Sequence, residues 1–331
     1  MSEFLDALAG GLQAALGYQA IFFVLLAVGL NVHFGYTGLL NFGQSGFLAV
    51  AAYGLAVTVA TFNLPMWLGI IFGLLGAVVL ALLLGIPTLR LRADYLAIVT
   101  IAAAEIIRLI VRSVTFEETF GGSDGRQAFA GGFYDLNPYP VNEYNIGRFG
   151  FNERQMWILT VGWILVALSC LVVFLLMRSP WGRVLKAIRE DEDAVRSLGK
   201  NVYAYKMQSL IIGGVLGCLG GFVYALGQAS IQPDIFGTDT TFFAYTVLIL
   251  GGAARVAAPV VGAMIFWAIL SLSDNILNEA IDAGYISKSV ITTTQVGQFR
   301  FMIVGALLMA LMIFRPQGIF GDRREIALDA R

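Results

Sequence analysis

The chain has 331 residues, of which 58% are hydrophobic and 13% are charged, and its formal net charge is −1. Soluble domains carry about 25% charged residues, so this composition excludes an ordinary soluble protein. Several apolar runs reach the roughly 20 residues that cross a bilayer, and the sequence therefore predicts an all-α polytopic membrane protein. The 38 glycines fit close packing of helices in lipid.

In chain order, the sequence predicts a short helix over residues 1–17, followed by about nine transmembrane helices, with about eight to ten as the range. The segment 113–155 is poor in Lys and Arg and is expected to form an outer loop. The basic tail at 315–331 is expected in the cytoplasm, and residues 1–331 are expected to form a single transmembrane domain. The predicted spans lie at about residues 17–34, 45–62, 66–86, 95–111, 155–177, 207–228, 242–252, 260–277 and 299–314.

Two glycine-rich segments interrupt this pattern, GYTGLLNFGQSGF at 35–47 and GGAARVAAPVVG at 251–262. Irregular backbone at membrane depth is tolerated only where protein or a water-filled cavity covers it. Interrupted short spans in both halves of a chain point to a transport site, and here they suggest broken or re-entrant helices and an internal repeat. An ordinary turn at the membrane interface is the alternative for the first segment. The residues predicted to lie near a translocation path are Asn31, Asn41, Gln44 and Ser45.

Glu105 is a further candidate for the path, because ionisable residues inside a span are costly and often functional. The alternative is a local ion pair, since Arg108 follows three residues later on the same helix face. His33 is the only histidine, which excludes a histidine-based metal cluster within this sequence. Cys170 and Cys218 lie in apolar runs without metal-like spacing, and we expect them to be buried small hydrophobes.

The most highly charged stretch of the chain lies at 178–206, between two predicted spans. It holds seven Lys or Arg residues and four consecutive acids, Glu190 to Asp193. It is either a solvated loop that only fixes topology or a docking helix for a soluble partner. A loop that only fixes topology needs neither an apolar stripe nor a block of four acids, so these features favour a short amphipathic helix that docks a partner. An ion pair in the favourable order supports the helix itself. The expected stripe is Val184, Ile188, Val195 and Leu198, the expected pair is Glu192 with Arg196, and Gly199 is the expected helix stop.

Motifs for enzyme chemistry are missing from the sequence. There is no G-x-x-x-x-G-K-[ST] loop for a nucleotide, no H-E-x-x-H and no C-x-x-C. We therefore expect a transport protein that is not an enzyme, with ATP hydrolysed by a separate protein if ATP drives it. A stand-alone secondary transporter or channel is the alternative.

Five motifs follow one another along nearly the whole chain: GLNVHFGYTGLLNFGQSGFLAVAAYG at 29–54, PTLRLRADYLAIVTIAAAEIIR at 87–108, GGSDGR at 121–126, AIREDEDAVRSLGKNVYAYK at 187–206 and LGGAARVAAPVVGA at 250–263. Together they resemble the branched-chain amino acid importer permeases of ATP-binding-cassette transporters, and the M-type subunit more than the H-type. The resemblance implies the permease fold of such importers and import of branched-chain amino acids across a prokaryotic plasma or inner membrane. It implies as partners a second permease, two cytoplasmic ATPases that bind the ATP and an external binding protein, with no nucleic acid and no cofactor. Related permeases of urea or short amides are the alternative.

The same resemblance implies that the charged stretch is the loop that couples the permease to its ATPase. The acidic-Ala and Gly positions of that family loop fall on Glu190, Asp191, Asp193, Ala194 and Gly199. The usual importer loop reads Glu-Ala-Ala, whereas this sequence reads Asp-Glu-Asp-Ala. Which of the acids contacts the ATPase is therefore left open.

Overall fold

The computed structural model describes residues 2–90, 93–146, 149–282, 293–315 and 317–321. These residues are mostly helical, with two small antiparallel sheets, β1 with β4 and β2 with β3. Residues 322–331 of the predicted tail lie outside the described residues. The helices are α1 Ser2–Leu16, α2 Tyr18–Leu30, α3 Gln44–Ala60, α4 Met66–Thr88, α5 Ala93–Arg112, α6 Glu117–Phe120, α7 Gly131–Tyr134, α8 Glu153–Arg178, α9 Pro180–Glu190, α10 Glu192–Ser197, α11 Val202–Gln228, α12 Thr238–Gly251, α13 Ala258–Asp282 and α14 Thr293–Phe314, and the strands are β1 Arg126–Gln127, β2 Glu143–Ile146, β3 Phe149–Asn152 and β4 Ser230–Ile231.

Every predicted span coincides with a helix, namely α2, α3, α4, α5, α8, α11, α12, α13 and α14. Within the described ranges, five helices are both long and apolar enough to cross a membrane. They are α2 with its continuation to Tyr36, then α4, α8, α11 and α13. The helix α12 has 14 residues and is therefore about 21 Å long, which is less than the roughly 30 Å of the hydrocarbon core. The predicted class, an all-α polytopic membrane protein, is confirmed.

Helix α2 is the centre of the bundle, and every residue from Ala20 to Leu30 is buried. A helix that is apolar all round is stable only when other helices surround it, and α2 packs against α8, α11, α12 and α13. Its crossing with α11 is very close, because a Cβ at Gly29 would stand 2.3 Å from the carbonyl oxygen of Gly213. By contrast, α4 presents Trp67, Leu75 and Leu83 outward, as expected for a helix at the periphery of the bundle.

The predicted loop at 113–155 folds onto one end of the bundle. Phe129 and Phe133 are buried, and the Trp157 indole donates a hydrogen bond to the Phe133 carbonyl (2.9 Å). Asn152 caps α8 in a reciprocal capping box with Gln155. The 26 residues of α8 then run about 39 Å to the opposite end, where α9 and α10 lie. The charged stretch and the loop at 113–155 therefore occupy opposite ends of the molecule.

The residues that follow α14 return to the end of α12. Ile319 N–H donates to the Leu250 carbonyl (3.0 Å), and Phe320 N–H donates to the Gly251 carbonyl (2.9 Å). The last carbonyls of a helix have no partner inside the helix. A distant part of the chain therefore completes the hydrogen bonding of α12 where its interrupted segment begins.

Candidate functional site

The first interrupted segment is a true break in the helix. Helix α2 continues as a π-helix over Asn31–Tyr36, residues 38–43 are not helical, and α3 begins at Gln44. Gly38 adopts φ +75°, a conformation that glycine reaches without strain. One-turn π segments are rare and concentrate at functional sites. The predicted broken helix is confirmed, and we call residues 31–43 the first break.

The polar side chains of the first break bond to one another and to α11. The Asn41 amide donates to Gln44 Oε1 (2.8 Å) and to His33 Nδ1 (3.2 Å). His33 Nε2 lies 3.1 Å from the Leu210 carbonyl, so the neutral tautomer with its proton on Nε2 satisfies both ring contacts. Gln44 Nε2 donates to the carbonyl of Gly213 (3.2 Å). The first break is therefore held against α11 by a closed set of hydrogen bonds.

Asn31 joins the first break to the second interrupted segment. Its Nδ2 donates to the Arg255 carbonyl (2.8 Å), and its Oδ1 accepts from the Ala254 N–H (2.9 Å). Residues 252–257, which we call the second break, connect α12 to α13. One amide side chain thus satisfies two backbone groups that no helix satisfies there.

Replacing Asn31 with alanine is expected to reduce the free energy of unfolding by about 2–4 kcal/mol. The change leaves the Ala254 N–H and the Arg255 carbonyl without their partner, and each such group costs about 1–3 kcal/mol when shielded from water. Thermal unfolding of the purified protein in detergent measures the effect. The control is Asn142→Ala, since Asn142 is exposed and bonds only to the adjacent Glu143 N–H among the described residues. Equal midpoints for the two variants would contradict the bridging role of Asn31.

The structure brings four of the five predicted path residues together and leaves the fifth apart. Asn31, Asn41, Gln44 and Ser45 are at most 1% exposed, and the three amides bond to this chain itself. Their predicted place beside a translocation path stays a prediction. Glu105 lies elsewhere on α5, where its carboxylate accepts from Arg108 Nε (3.0 Å). The local ion pair, which was the alternative for Glu105, is therefore present.

The charged stretch differs from the prediction of one amphipathic helix. Asp191 is extended (φ −154°, ψ 102°) and separates α9 from α10. Ile188 and Val195 are buried as predicted, but Leu198 is 80% exposed, so its predicted place in the apolar stripe is wrong. The predicted ion pair is present, with Arg196 Nη2 2.8 Å from Glu192 Oε1. Gly199 follows α10 with φ +76°, which confirms the predicted helix stop.

The four consecutive acids have different environments. Asp191 caps α10 by accepting from the Ala194 N–H (2.9 Å). Glu192 forms ion pairs with Arg196 and with Lys206 of α11. Asp193 is 88% exposed in its side chain and pairs with Arg196 Nη1 (2.8 Å). Glu190 is exposed and pairs with no other described residue. Three acids therefore have partners within the stretch or on α11, and Glu190 has none among the described residues.

Two basic residues that sequence reasoning missed connect α9 to the first break. Arg189 Nη1 donates to the Gly35 carbonyl (2.6 Å), and Lys186 Nζ lies 5.7 Å from the centre of the Tyr36 ring. No local pattern could identify these contacts, because about 150 residues of sequence separate the partners. The first break therefore contacts both the second break and the charged stretch.

Comparison with known proteins agrees with this architecture. The family model of the branched-chain amino acid transport system permease component matches residues 14–314. LivM, the high-affinity branched-chain amino acid transport system permease protein of Escherichia coli K12, is 30% identical over 312 residues, covering 90% of this chain and 67% of LivM. LivH of the same organism is 24% identical over 307 residues, covering 90% of this chain and 91% of LivH.

A third relative carries a different substrate in its name. NupC, a nucleoside ABC transporter permease protein of Lactococcus lactis, is 27% identical over 195 residues, covering 57% of this chain and 59% of NupC. The match is shorter than the match to LivM, and the urea or short-amide alternative is not favoured by any of these names. The chain is a multi-pass membrane protein that belongs to the family of branched-chain amino acid transport permeases and is of its LivM type.

Proposed function

We propose that this permease imports branched-chain amino acids as one subunit of an assembly with a second permease, two cytoplasmic ATPases and an external binding protein. The observation that carries the assembly is a small exposed patch at the end of the charged stretch. We call it the coupling surface and define it as Glu190, Asp193, Ala194, Leu198 and Gly199, which are all exposed.

The coupling surface has the character of a protein contact. Leu198 is a large apolar side chain left 80% exposed at the tip of a turn, and no neighbouring atom would obstruct a Cβ at Gly199. Two exposed carboxylates flank this apolar centre: Glu190, which pairs with no other described residue, and Asp193, which pairs with Arg196 at the surface. Interfaces combine an apolar centre with a polar rim, so a basic groove with an apolar floor on the ATPase is the complementary surface. Glu190 and Asp193 are then the acids that contact the ATPase.

The proposed orientation places α9 and α10 in the cytoplasm. Seven Lys or Arg residues in 178–206 support it, because loops rich in basic residues stay on the inner side. The loop at 113–155, at the opposite end, then faces the binding protein, and the C-terminal tail is cytoplasmic.

Selection of the substrate is assigned to the external binding protein. Apolar amino acids are zwitterions, and a passage for them needs weak neutral polar contacts rather than a charge that would trap them. Asn31, Asn41 and Gln44 are proposed to position the wall of that passage through their bonds to α11 and the second break. Glu105, paired with Arg108, is proposed to lie on the same passage near the outer end of α5.

Reconstitution in proteoliposomes tests the proposal. We expect uptake of labelled leucine only when this chain, its partner permease, the ATPases, the binding protein and ATP are all present. Labelled urea and a labelled nucleoside, added in parallel, are expected to stay at background. Leucine uptake by this chain alone under an ion gradient would establish the secondary-transporter alternative, and uptake of the nucleoside in place of leucine would reassign the substrate.

A further inference from the structure

We propose that Arg189 is a positioning residue that transmits movement of the coupling surface to both breaks through the carbonyl group of Gly35. The inference rests on the proposed function, since it presumes that an ATPase moves α9 and α10. It assigns a physical link between the charged stretch and the segments at membrane depth, which neither the sequence pattern nor the family relationship supplies.

The contact between α9 and the first break is direct. Arg189 Nη1 lies 2.6 Å from the Gly35 oxygen. A Cβ placed on Gly38 would stand 3.3 Å from Arg189 Cγ, so the absence of a side chain at Gly38 allows this close approach. Lys186, one turn earlier on α9, adds its ammonium group beside the Tyr36 ring (5.7 Å). Two cationic side chains of α9, Arg189 and Lys186, thus contact two adjacent residues of the π-helix, Gly35 and Tyr36.

The Gly35 carbonyl is available because the π-helix ends there. The backbone N–H of Gly38 bonds to the Phe34 carbonyl (3.2 Å), and that of Leu39 bonds to the His33 carbonyl (2.9 Å). Neither of these backbone bonds uses the Gly35 carbonyl oxygen, which can therefore accept a hydrogen bond from a side chain. Carbonyl groups at a helix C-terminus carry partial negative charge and attract cations, and a charged donor makes the stronger kind of hydrogen bond. Arg189 therefore holds the end of the π-helix.

The other end of the same π-helix is held by the second break. Asn31 bonds to the backbone of Ala254 and Arg255 at 2.9 and 2.8 Å. A Cβ on Gly35 would meet both Asn31 Oδ1 and the Ala254 nitrogen at 2.0 and 2.7 Å, so Gly35 itself touches the second break. A displacement of α9 is thus passed over one π-helical turn to the connection between α12 and α13.

There is room for such a displacement beside this contact. A cavity of about 240 Å³ lies between α9, the first break and the end of α4. Its wall includes Gly38, Ile188 and Arg189. Packed protein interiors shift between discrete arrangements rather than deforming continuously, and a void next to a hydrogen-bonded joint allows the joint to take a second position.

The test compares R189Q with R183Q and R189K in the reconstituted importer. Arg183 is an exposed arginine of the same helix α9 and serves as the matched control. We expect R189Q to bind the ATPases and hydrolyse ATP as the unchanged assembly does, while the leucine transported per ATP falls about tenfold. R183Q is expected to keep the original ratio, and R189K, which retains a charged donor, to recover at least half of it.

A purely structural role for Arg189 would give a different pattern. It would lower the unfolding midpoint and the yield of R189Q and leave the transport-to-ATP ratio of the surviving protein unchanged, which would overturn the proposal. If R189Q does not fold, K186Q decides, because Lys186 is exposed and its loss is expected to reduce the ratio about twofold to threefold. An unchanged ratio in K186Q would then overturn it. Failure of the unchanged assembly to couple ATP to leucine would refute the proposed function instead.

Discussion

Gly213→Ala is expected to abolish accumulation of the folded protein. A Cβ at Gly213 would stand 2.3 Å from His33 Nε2 and 2.6 Å from the Gly29 carbonyl oxygen. Real Cβ contacts are never this short, and a backbone oxygen cannot be moved aside by a rotamer change. The added methyl group must separate α2 from α11 at the centre of the bundle. Overpacking typically costs about 1–3 kcal/mol, and we expect at least about 3 kcal/mol here because backbone atoms are involved.

The yield of monodisperse protein after extraction and its thermal unfolding midpoint measure this effect. Gly305→Ala is the matched control, because Gly305 also lies inside a helix but no atom lies within 4 Å of its built Cβ. Alanine in a helix interior is favoured over glycine by about 0.5–1 kcal/mol, so the control is expected to be as stable as the original or more so. Normal yield and stability of Gly213→Ala would show that α2 and α11 do not cross as described.

Leu198→Glu is expected to reduce ATP-driven leucine uptake to background while the permease still folds. Leu198 is 80% exposed, so its replacement costs the isolated chain little. In the proposed contact the new carboxylate would be buried without a partner, between the existing acids Glu190 and Asp193. Central interface residues are worth about 2–4 kcal/mol, which corresponds to a loss of affinity of roughly thirtyfold to a thousandfold.

Co-purification of the ATPases with the tagged permease measures this loss of binding directly. Val141→Glu is the control, since Val141 is 90% exposed and lies at the end of the molecule opposite to α9 and α10. We expect that variant to retain the ATPases. If Leu198→Glu retains both the ATPases and leucine uptake, the coupling surface is not the site at which the ATPase binds.

The helices at membrane depth could be predicted because a span must be apolar over a fixed length. Each predicted span coincides with a helix, even the short α12, whose 14 residues end at Gly251 and are followed by Gly252. The break after α2 was also predictable, since GYTGLLNFGQ combines glycines with side chains that hydrocarbon does not solvate. Length and polarity are local properties, and the sequence states them directly.

Which apolar residues of the charged stretch are buried could not be predicted from length and polarity. The spacing from Val184 to Leu198 describes one face only if a single helix runs through it. Asp191 takes an extended conformation and caps α10. The helical spacing is therefore interrupted at Asp191, and the residues of α10 do not continue the face set by α9. Leu198 then points outward although Val195 is buried. An aspartate inside a run of acids gave no sign that it would act as a cap.

Long-range partners were beyond sequence reasoning for a different reason. Asn31 could be identified as a polar residue in need of a partner, but the partner is a backbone segment more than 200 residues later. Arg189 could not be distinguished from the other basic residues by its sequence context, because it is one of seven in its stretch. Glu105 shows the intermediate case, since its partner Arg108 lies within the same helix and could be named as the alternative.

The pairing of Ile319 and Phe320 with the end of α12 bears on how the protein is made. On the ribosome, α12 emerges and enters the membrane long before those two residues are synthesised. The Leu250 and Gly251 carbonyls must therefore remain hydrated, or be held by the insertion machinery, until α13 and α14 have been translated. Nascent chains stalled before Ile319 are expected to be sensitive to membrane-bound proteases at this point, because the hydrogen bonding at the end of α12 is complete only once Ile319 and Phe320 are in place.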